Sequence, residues 1–308
     1  MHMQNIDAIK INFEESQLAL LNICLGILMF GVALDLDFSE FRRMIKNPKK
    51  LLVGLSSQMI LLPIITIILI MVLKPHASLA MGMVLVAACP GGNVSNYAVH
   101  LAKANTALSV TLTSISTLAA AFTTPLLFAI MRYAIPELAN KSLIVPFDKM
   151  VITLLTLIVL PLVLGLLYRK YLPKLTQITL PWIKNLSMLI FLSFVVFAIV
   201  GNYENIKAYL SLVFVLVLIH NLSALAGGYY FSKIFGLETN DCRTISIETG
   251  IQNSGLGLIL VFNFFDGLGG MALIAAWWGI WHLISSLSLA LLWKRDGNRS
   301  TEIGDRKM

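Results

Sequence analysis

Charge is what this sequence has least of. Only 13% of its 308 residues are Asp, Glu, Lys or Arg, 57% are apolar and the mean hydropathy is +0.82, whereas soluble domains carry roughly a quarter charged residues. That scarcity excludes a soluble globular chain and points to an integral membrane protein. Cysteine is nearly absent as well. Cys24, Cys89 and Cys242 are odd in number and far apart, which excludes a disulfide framework and a cysteine-based metal site. The five histidines, His2, His76, His100, His220 and His282, share no ligand spacing. The first 15 residues lack the basic region of a cleavable signal peptide. Although the formal charge is +7, the basic residues stand singly or in pairs between apolar runs and form no stripe, so nucleic acid is not a partner and the bilayer is.

What is present is a succession of long apolar runs. At ~20 residues per helical span, the chain divides into nine expected helices: Gln17–Leu36, Leu51–Leu73, Ser78–Ala102, Thr106–Tyr133, Met150–Tyr168, Trp182–Val200, Ala208–Phe231, Thr244–Phe265 and Met271–Trp293. The connections are short, so residues 1–308 are expected to form one compact transmembrane domain. Of the 23 Lys and Arg, 17 fall on one side of this topology, and 6 (Lys10, Lys74, Arg132, Lys141, Lys149 and Lys207) on the other. By the positive-inside rule the N-terminus is outside and the C-terminus cytoplasmic, in a cell (inner) membrane.

Two helices break the pattern. Pro90-Gly91-Gly92-Asn93 interrupts the third, and Gly250 to Gly257 the eighth. Each is the penultimate member of a four-helix set, about 17–133 and 182–293, with 150–168 as a linking helix. One set begins outside and the other inside. Opposed quartets with breaks in matching places are the pattern of an inverted-repeat transporter whose site lies where the breaks meet. Ordinary kinks account for Pro63, Pro125 and Pro161. They account poorly for breaks this polar.

At the first break, Asn93, Ser95 and Asn96 bring side-chain oxygens to the start of a half-helix, an end that favours anions, while unwound carbonyls favour a hard cation. Ser109 and Thr113 lie four residues apart and share a helix face. A short loop folds that face back, so Ser95, Asn96, Ser109 and Thr113 are expected to converge. Glu248 is the one carboxylate that this segmentation places deep in a span, where a central charge costs ~2.5–3.5 kcal/mol. It is either an ion ligand or a protonated glutamate bonded to its neighbours. Gln252 lies one turn on, and Gln58 stands in an apolar stretch after Ser56 and Ser57. Oxygen ligands without Cys or His clusters suit a hard cation rather than zinc or iron. His220-Asn221 and Trp281-His282 are intramembrane polar pairs that serve either packing or transport.

Pro90 to Asn96, Asn105 to Thr113 and Glu248 to Leu256 together resemble the two crossover motifs of the bile acid:sodium symporter family, and the similarity extends to Met29-Phe30-Gly31, His220-Asn221 and Trp281-His282. The resemblance implies an all-α fold with two broken, crossing helices in a core that moves against a separate panel. It implies two sodium sites. The first falls on Ser95, Asn96, Ser109, Thr113 and Glu248. The second falls on Gln58, Glu248, Gln252 and the backbone carbonyls of Thr249 and Ile251. Asn93, Asn253 and His282 are the expected substrate contacts. The sequence departs from the family pattern in three places: it starts at the second helix of ten-helix bacterial members, it has Leu283 where the motif has Asn, and it has Asn93 where threonine is common.

The expected activity is sodium-coupled symport of an organic anion by alternating access, with sodium as the coupling ion, no other cofactor and no enzyme chemistry. The alternative is a proton-coupled anion carrier or antiporter in which Glu248 carries the proton. A sensor or intramembrane enzyme has no supporting motif.

Overall fold

The structure is a computed structural model and describes residues 6–8, 15–35, 46–139, 146–200, 207 and 209–305. Lys10, Arg42, Arg43, Lys141, Arg306 and Lys307, which count towards the orientation above, lie outside the described residues, as do the helix ends expected at Leu36 and Ala208. Among the described residues the chain is helical, with no strand longer than an isolated bridge. The helices are α1 (Glu15–Asp35), α2 (Pro48–Leu73), α3 (Ala77–Ala88), α4 (Val94–Leu101), α5 (Thr106–Ala134), α6 (Phe147–Tyr171), α7 (Pro173–Val200), α8 (Leu210–Ile234), α9 (Thr239–Gly250), α10 (Ser254–Phe264) and α11 (Gly269–Asp305). Five are long and apolar enough to cross a bilayer: α2, α5, α6, α8 and the Gly269–Arg295 part of α11. This is a multi-pass membrane protein.

Local chemistry sets the helix ends. Pro48 opens α2, where its missing N–H is no loss. Lys74 closes α2 in a left-handed conformation, its N–H returning to Ile70 O. Asn105 opens α5, its side chain accepting from Leu108 N at 3.1 Å. α2 and α6 each contain one π turn, Ser57–Leu61 and Leu155–Val159. Both turns end immediately before a Leu-Pro pair, Leu62-Pro63 and Leu160-Pro161. A proline lacks the N–H for the i−4 carbonyl and crowds it, and widening the preceding turn is one way to accommodate this.

α3 is the central rod. Ser78 through Ala88 are all buried, between α11, α5 and α2. α1 packs on α6 and α7, and this group meets the rest through α5 and α10. On α2, Ile60, Ile64, Ile68, Met71 and Val72 are exposed, an apolar face suited to lipid.

Three helices run five or more residues beyond their expected ends. α7 begins at Pro173 rather than Trp182, since Pro173 starts a helix whose first turns are exposed. α11 continues to Asp305, well past Trp293. α9 begins at Thr239 rather than Thr244, which brings Asp241 inside the fold at 1% exposure. Glu248 is therefore not the only carboxylate buried among the helices. The charges of Asp241 and Arg243 read as a loop, but Asp241 is matched by Lys50 across the packing interface.

The two breaks lie at their expected places, between α3 and α4 and between α9 and α10. They meet in an antiparallel bridge of Gly91 with Gln252. Gly92 N donates to Ile251 O at 3.2 Å and Asn253 N to Pro90 O at 2.8 Å. Backbone groups freed by unwinding would be costly in a membrane interior, and each break satisfies the other's.

Candidate functional site

Glu248 lies in the last turn of α9, two residues before its end at Gly250, and is fully buried. Three other helices aim polar side chains at it. From α4, Ser95 Oγ donates to Glu248 Oε1 at 2.5 Å. From α5, Ser109 Oγ donates to the same oxygen, and Thr113 Oγ1 donates at 3.1 Å to Oε1 and 2.9 Å to Oε2. From α2, Gln58 Nε2 donates at 3.1 Å to Glu248 Oε2 and at 3.1 Å to its backbone oxygen. Asn96 joins through Ser109, whose hydroxyl lies 2.8 Å from Asn96 Oδ1. Among the described residues, none of the groups bonded to the carboxylate carries a positive charge.

The backbone explains why these residues meet. Ser109 and Thr113 stand one turn apart on α5, and the turn Ala102–Asn105, with Lys103 left-handed, folds α5 back beside α4. The π turn of α2 holds Ser57 and Gln58 toward α9, and Ser57 Oγ lies 2.7 Å from Thr249 Oγ1. Gly91 makes room for the cluster: a Cβ there would lie 3.0 Å from Gln58 Nε2 and 3.2 Å from Glu248 Oε2.

A second group of oxygens lies behind the carboxylate. Gln252 Nε2 donates to Thr249 O at 3.0 Å. Gln58 Oε1 and Gln252 Oε1 are both buried and have no hydrogen-bond partner among the described residues. Buried polar atoms are rarely left so. Unpaired carbonyl oxygens suit a hard cation, and equally the hydrogens of a buried water. A cavity of about 10 Å³, room for one water-sized sphere, lies between Gln58, Cys89, Pro90 and Ser116.

The expected substrate contacts fall outside this hydrogen-bonded cluster. Asn93 is exposed at the start of α4 and its side chain makes no capping bond. Asn253 is partly buried and caps α10, accepting from Leu256 N at 3.0 Å. His282 is buried on α11, its Nδ1 without a partner. Of the polar pairs, His220 Nε2 lies 2.7 Å from Thr66 Oγ1. Asn221 Nδ2 donates to Gly250 O at 2.7 Å and Asn221 Oδ1 accepts from Ser285 Oγ at 2.6 Å. Both join helices, and Asn221 satisfies the last carbonyl of α9. Ser116, which accepts from Gly91 N at 3.3 Å, and Ser285 were not singled out in the sequence. Their signal is helical spacing, since Ser116 follows Ser109 by two turns and Ser285 follows His282 by three residues.

Two broken helices thus meet beside a buried carboxylate that neutral hydroxyls and an amide surround. The chain belongs to the Sodium Bile acid symporter family, whose profile matches residues 22–209. It is 32% identical over 289 residues to the uncharacterized sodium-dependent transporter YocS of Bacillus subtilis (strain 168), covering 92% of this chain and 87% of that protein. It is 33% identical over 273 residues to the probable chloroplastic sodium/metabolite cotransporter BASS2 of Oryza sativa subsp. japonica, covering 84% of this chain and 64% of that one. With the corresponding BASS1 protein of Arabidopsis thaliana it shares 31% over 278 residues, covering 90% and 67%.

Proposed function

We propose that this protein is a sodium-coupled symporter of an organic anion, bile-acid-like or a smaller carboxylate, that works by alternating access and performs no enzyme chemistry. The observation that carries the reading is Glu248, fully buried and ringed by Ser95, Ser109, Thr113 and Gln58 with no cationic partner among the described residues. A sodium ion held by Ser95, Asn96, Ser109, Thr113 and Glu248 supplies the missing charge. A second ion takes the orphaned oxygens of Gln58 and Gln252 together with Glu248 and the carbonyls of Thr249 and Ile251. The printed names of the relatives, a sodium-dependent transporter and sodium/metabolite cotransporters, agree with this.

The substrate anion sits at the starts of α4 and α10, where Asn93 and Asn253 stand and the helix dipoles favour negative charge. His282 contributes from α11. Two sodium ions with one monoanion move one net charge inward, which couples transport to the potential by ~2.3 kcal/mol per 100 mV. In this reading the chain crosses an inner membrane nine times with its N-terminus outside. The quartets 17–133 and 182–293 are inverted repeats and 150–168 is the linking helix, all within one transmembrane domain.

The test is uptake into proteoliposomes of a panel of carboxylate and sulfate anions, with sodium replaced by choline at fixed pH. Symport predicts that uptake stops in choline. Uptake that continues in choline and follows the pH gradient instead would overturn sodium symport in favour of a proton-coupled carrier.

A further inference from the structure

Asp241 and Lys50 are a charged pair that the sodium reading leaves unused, and with Asn105 they stand at the foot of α2, α5 and α9, three of the four helices that build the Glu248 cluster. Lys50 Nζ on α2 is 2.6 Å from Asp241 Oδ2 on α9. Asn105 Nδ2, at the start of α5, donates to Asp241 Oδ1 at 2.8 Å. One turn along α9, Thr244 Oγ1 accepts from Asn105 N at 2.9 Å and donates to Asn105 O at 3.3 Å. Asn105 Oδ1 is engaged in turn as the cap of α5. Asp241 and Thr244 are buried, and Lys50 is partly so, at 28% side-chain exposure.

The spacing gives this knot a role. Lys50 precedes Gln58 by eight residues on α2, Asn105 precedes Thr113 by eight on α5, and Asp241 precedes Glu248 by seven on α9. At 1.5 Å per residue each interval is about 11–12 Å. Three helices are thus pinned together at one level and present their polar side chains together at a second level, two turns higher. Sliding one helix past another by a single residue displaces its ligand by ~1.5 Å, far more than a hydrogen-bonded ion site tolerates. An ion pair holds this register more strictly than apolar packing, because a slip would leave a buried carboxylate without its partner.

We propose that Lys50, Asn105 and Asp241 form a register latch whose function is to position Gln58, Thr113 and Glu248 for cation binding. They are positioning residues and touch no ion themselves. The inference rests on the sodium reading of Glu248.

The test compares wild type with Asp241→Ala, Asn105→Asp and Lys50→Arg. Asn105→Asp keeps the oxygen that caps α5 but removes the amide donor and sets a second carboxylate against Asp241. Sodium dependence of uptake separates the sodium constant from the maximal rate, and sodium titration of tryptophan fluorescence in purified protein gives affinity directly. Asp241→Ala and Asn105→Asp should each raise the sodium constant by about tenfold or more, with uptake recovering at saturating sodium. Lys50→Arg, which keeps the charge, should lie within about twofold of wild type. If Asp241→Ala does not accumulate, Asn105→Asp and the uncharged Thr244→Val are read by the same criterion. An unchanged sodium constant in the variants that fold, whatever their maximal rate, overturns the latch. A wild-type protein with no response to sodium overturns the sodium reading, and the latch with it.

Discussion

Asn22 on α1 and Asn263 on α10 exchange amide hydrogen bonds, Nδ2 to Oδ1 at 3.4 Å one way and 3.0 Å the other. This pair ties the α1–α6–α7 group to the half-helix that follows the second break. If alternating access moves those two bodies apart, the pair must separate in each cycle. Cysteines at Asn22 and Asn263, in a chain with Cys24, Cys89 and Cys242 replaced by alanine, should be bridged by a short bifunctional thiol reagent. Uptake should then stop and return on reduction. Full uptake by the bridged protein would show that the seam does not open.

Glu248 serves both proposed ion sites, so its variants should differ in kind from those of its neighbours. Glu248→Gln keeps the size but removes the charge and should weaken sodium binding by about 100-fold or more. Ser109→Ala removes one neutral ligand and should cost about tenfold, roughly 1.4 kcal/mol. Gln252→Ala should affect one of two sodium transitions. Calorimetric sodium titration of the three variants is the check, and near-normal affinity in Glu248→Gln would remove the carboxylate from the site.

Gly91 and Gly26 make a controlled pair. A Cβ at Gly91 would press on Gln58 and Glu248 at 3.0 and 3.2 Å, whereas one at Gly26 would meet only Pro161 Cγ at 3.7 Å. Gly91→Ala should destabilise by about 1–3 kcal/mol through overpacking and abolish sodium binding. Gly26→Ala, within α1, should be neutral or stabilise by up to about 1 kcal/mol. Unfolding temperatures in detergent, with and without sodium, would show both.

Topology is tested at exposed positions. Ile6 near the N-terminus is buried, so labelling there reports packing as well as sidedness. Glu137 and Lys174 are exposed. A cysteine at Glu137 should react with an impermeant reagent from outside in intact cells. One at Lys174 should react only after the membrane is opened. The reverse pattern would invert the proposed orientation.

Much of the site could be read from the chain because its signals are local. Pro90-Gly91-Gly92 and Gly250 mark the breaks by composition, and Ser109 and Thr113 declare a shared face by spacing. Apolar stretches located most helices, since lipid demands continuous apolar length. Ends were read less well where polarity continued into protein contacts. Thr239 to Arg243 looks like a loop until Lys50 and Asn105 are seen across the interface, and no local pattern announces a partner that is 191 residues away. The same limit hid Ser285 and Ser116, ordinary membrane-helix serines whose importance depends on which backbone group they face. The π turn of α2 lies between: Pro63 hints at a distortion, and it is the family resemblance rather than any local pattern that sets Gln58 beside Glu248.

The antiparallel bridge between Gly91 and Gln252 also has a temporal meaning. The peptide groups that satisfy the first break belong to residues made roughly 160 positions later, which at about 5–20 residues per second is on the order of ten to thirty seconds of synthesis. Until Ile251, Gln252 and Asn253 arrive, the backbone of Pro90 and Gly92 needs water or another polar host at bilayer depth. The first half of the chain is thus left with an unfinished helix pair, and the second break closes both. Each half serves as the template that completes the other, so a chain cut between α6 and α7 should regain the crossing only when both pieces are made together.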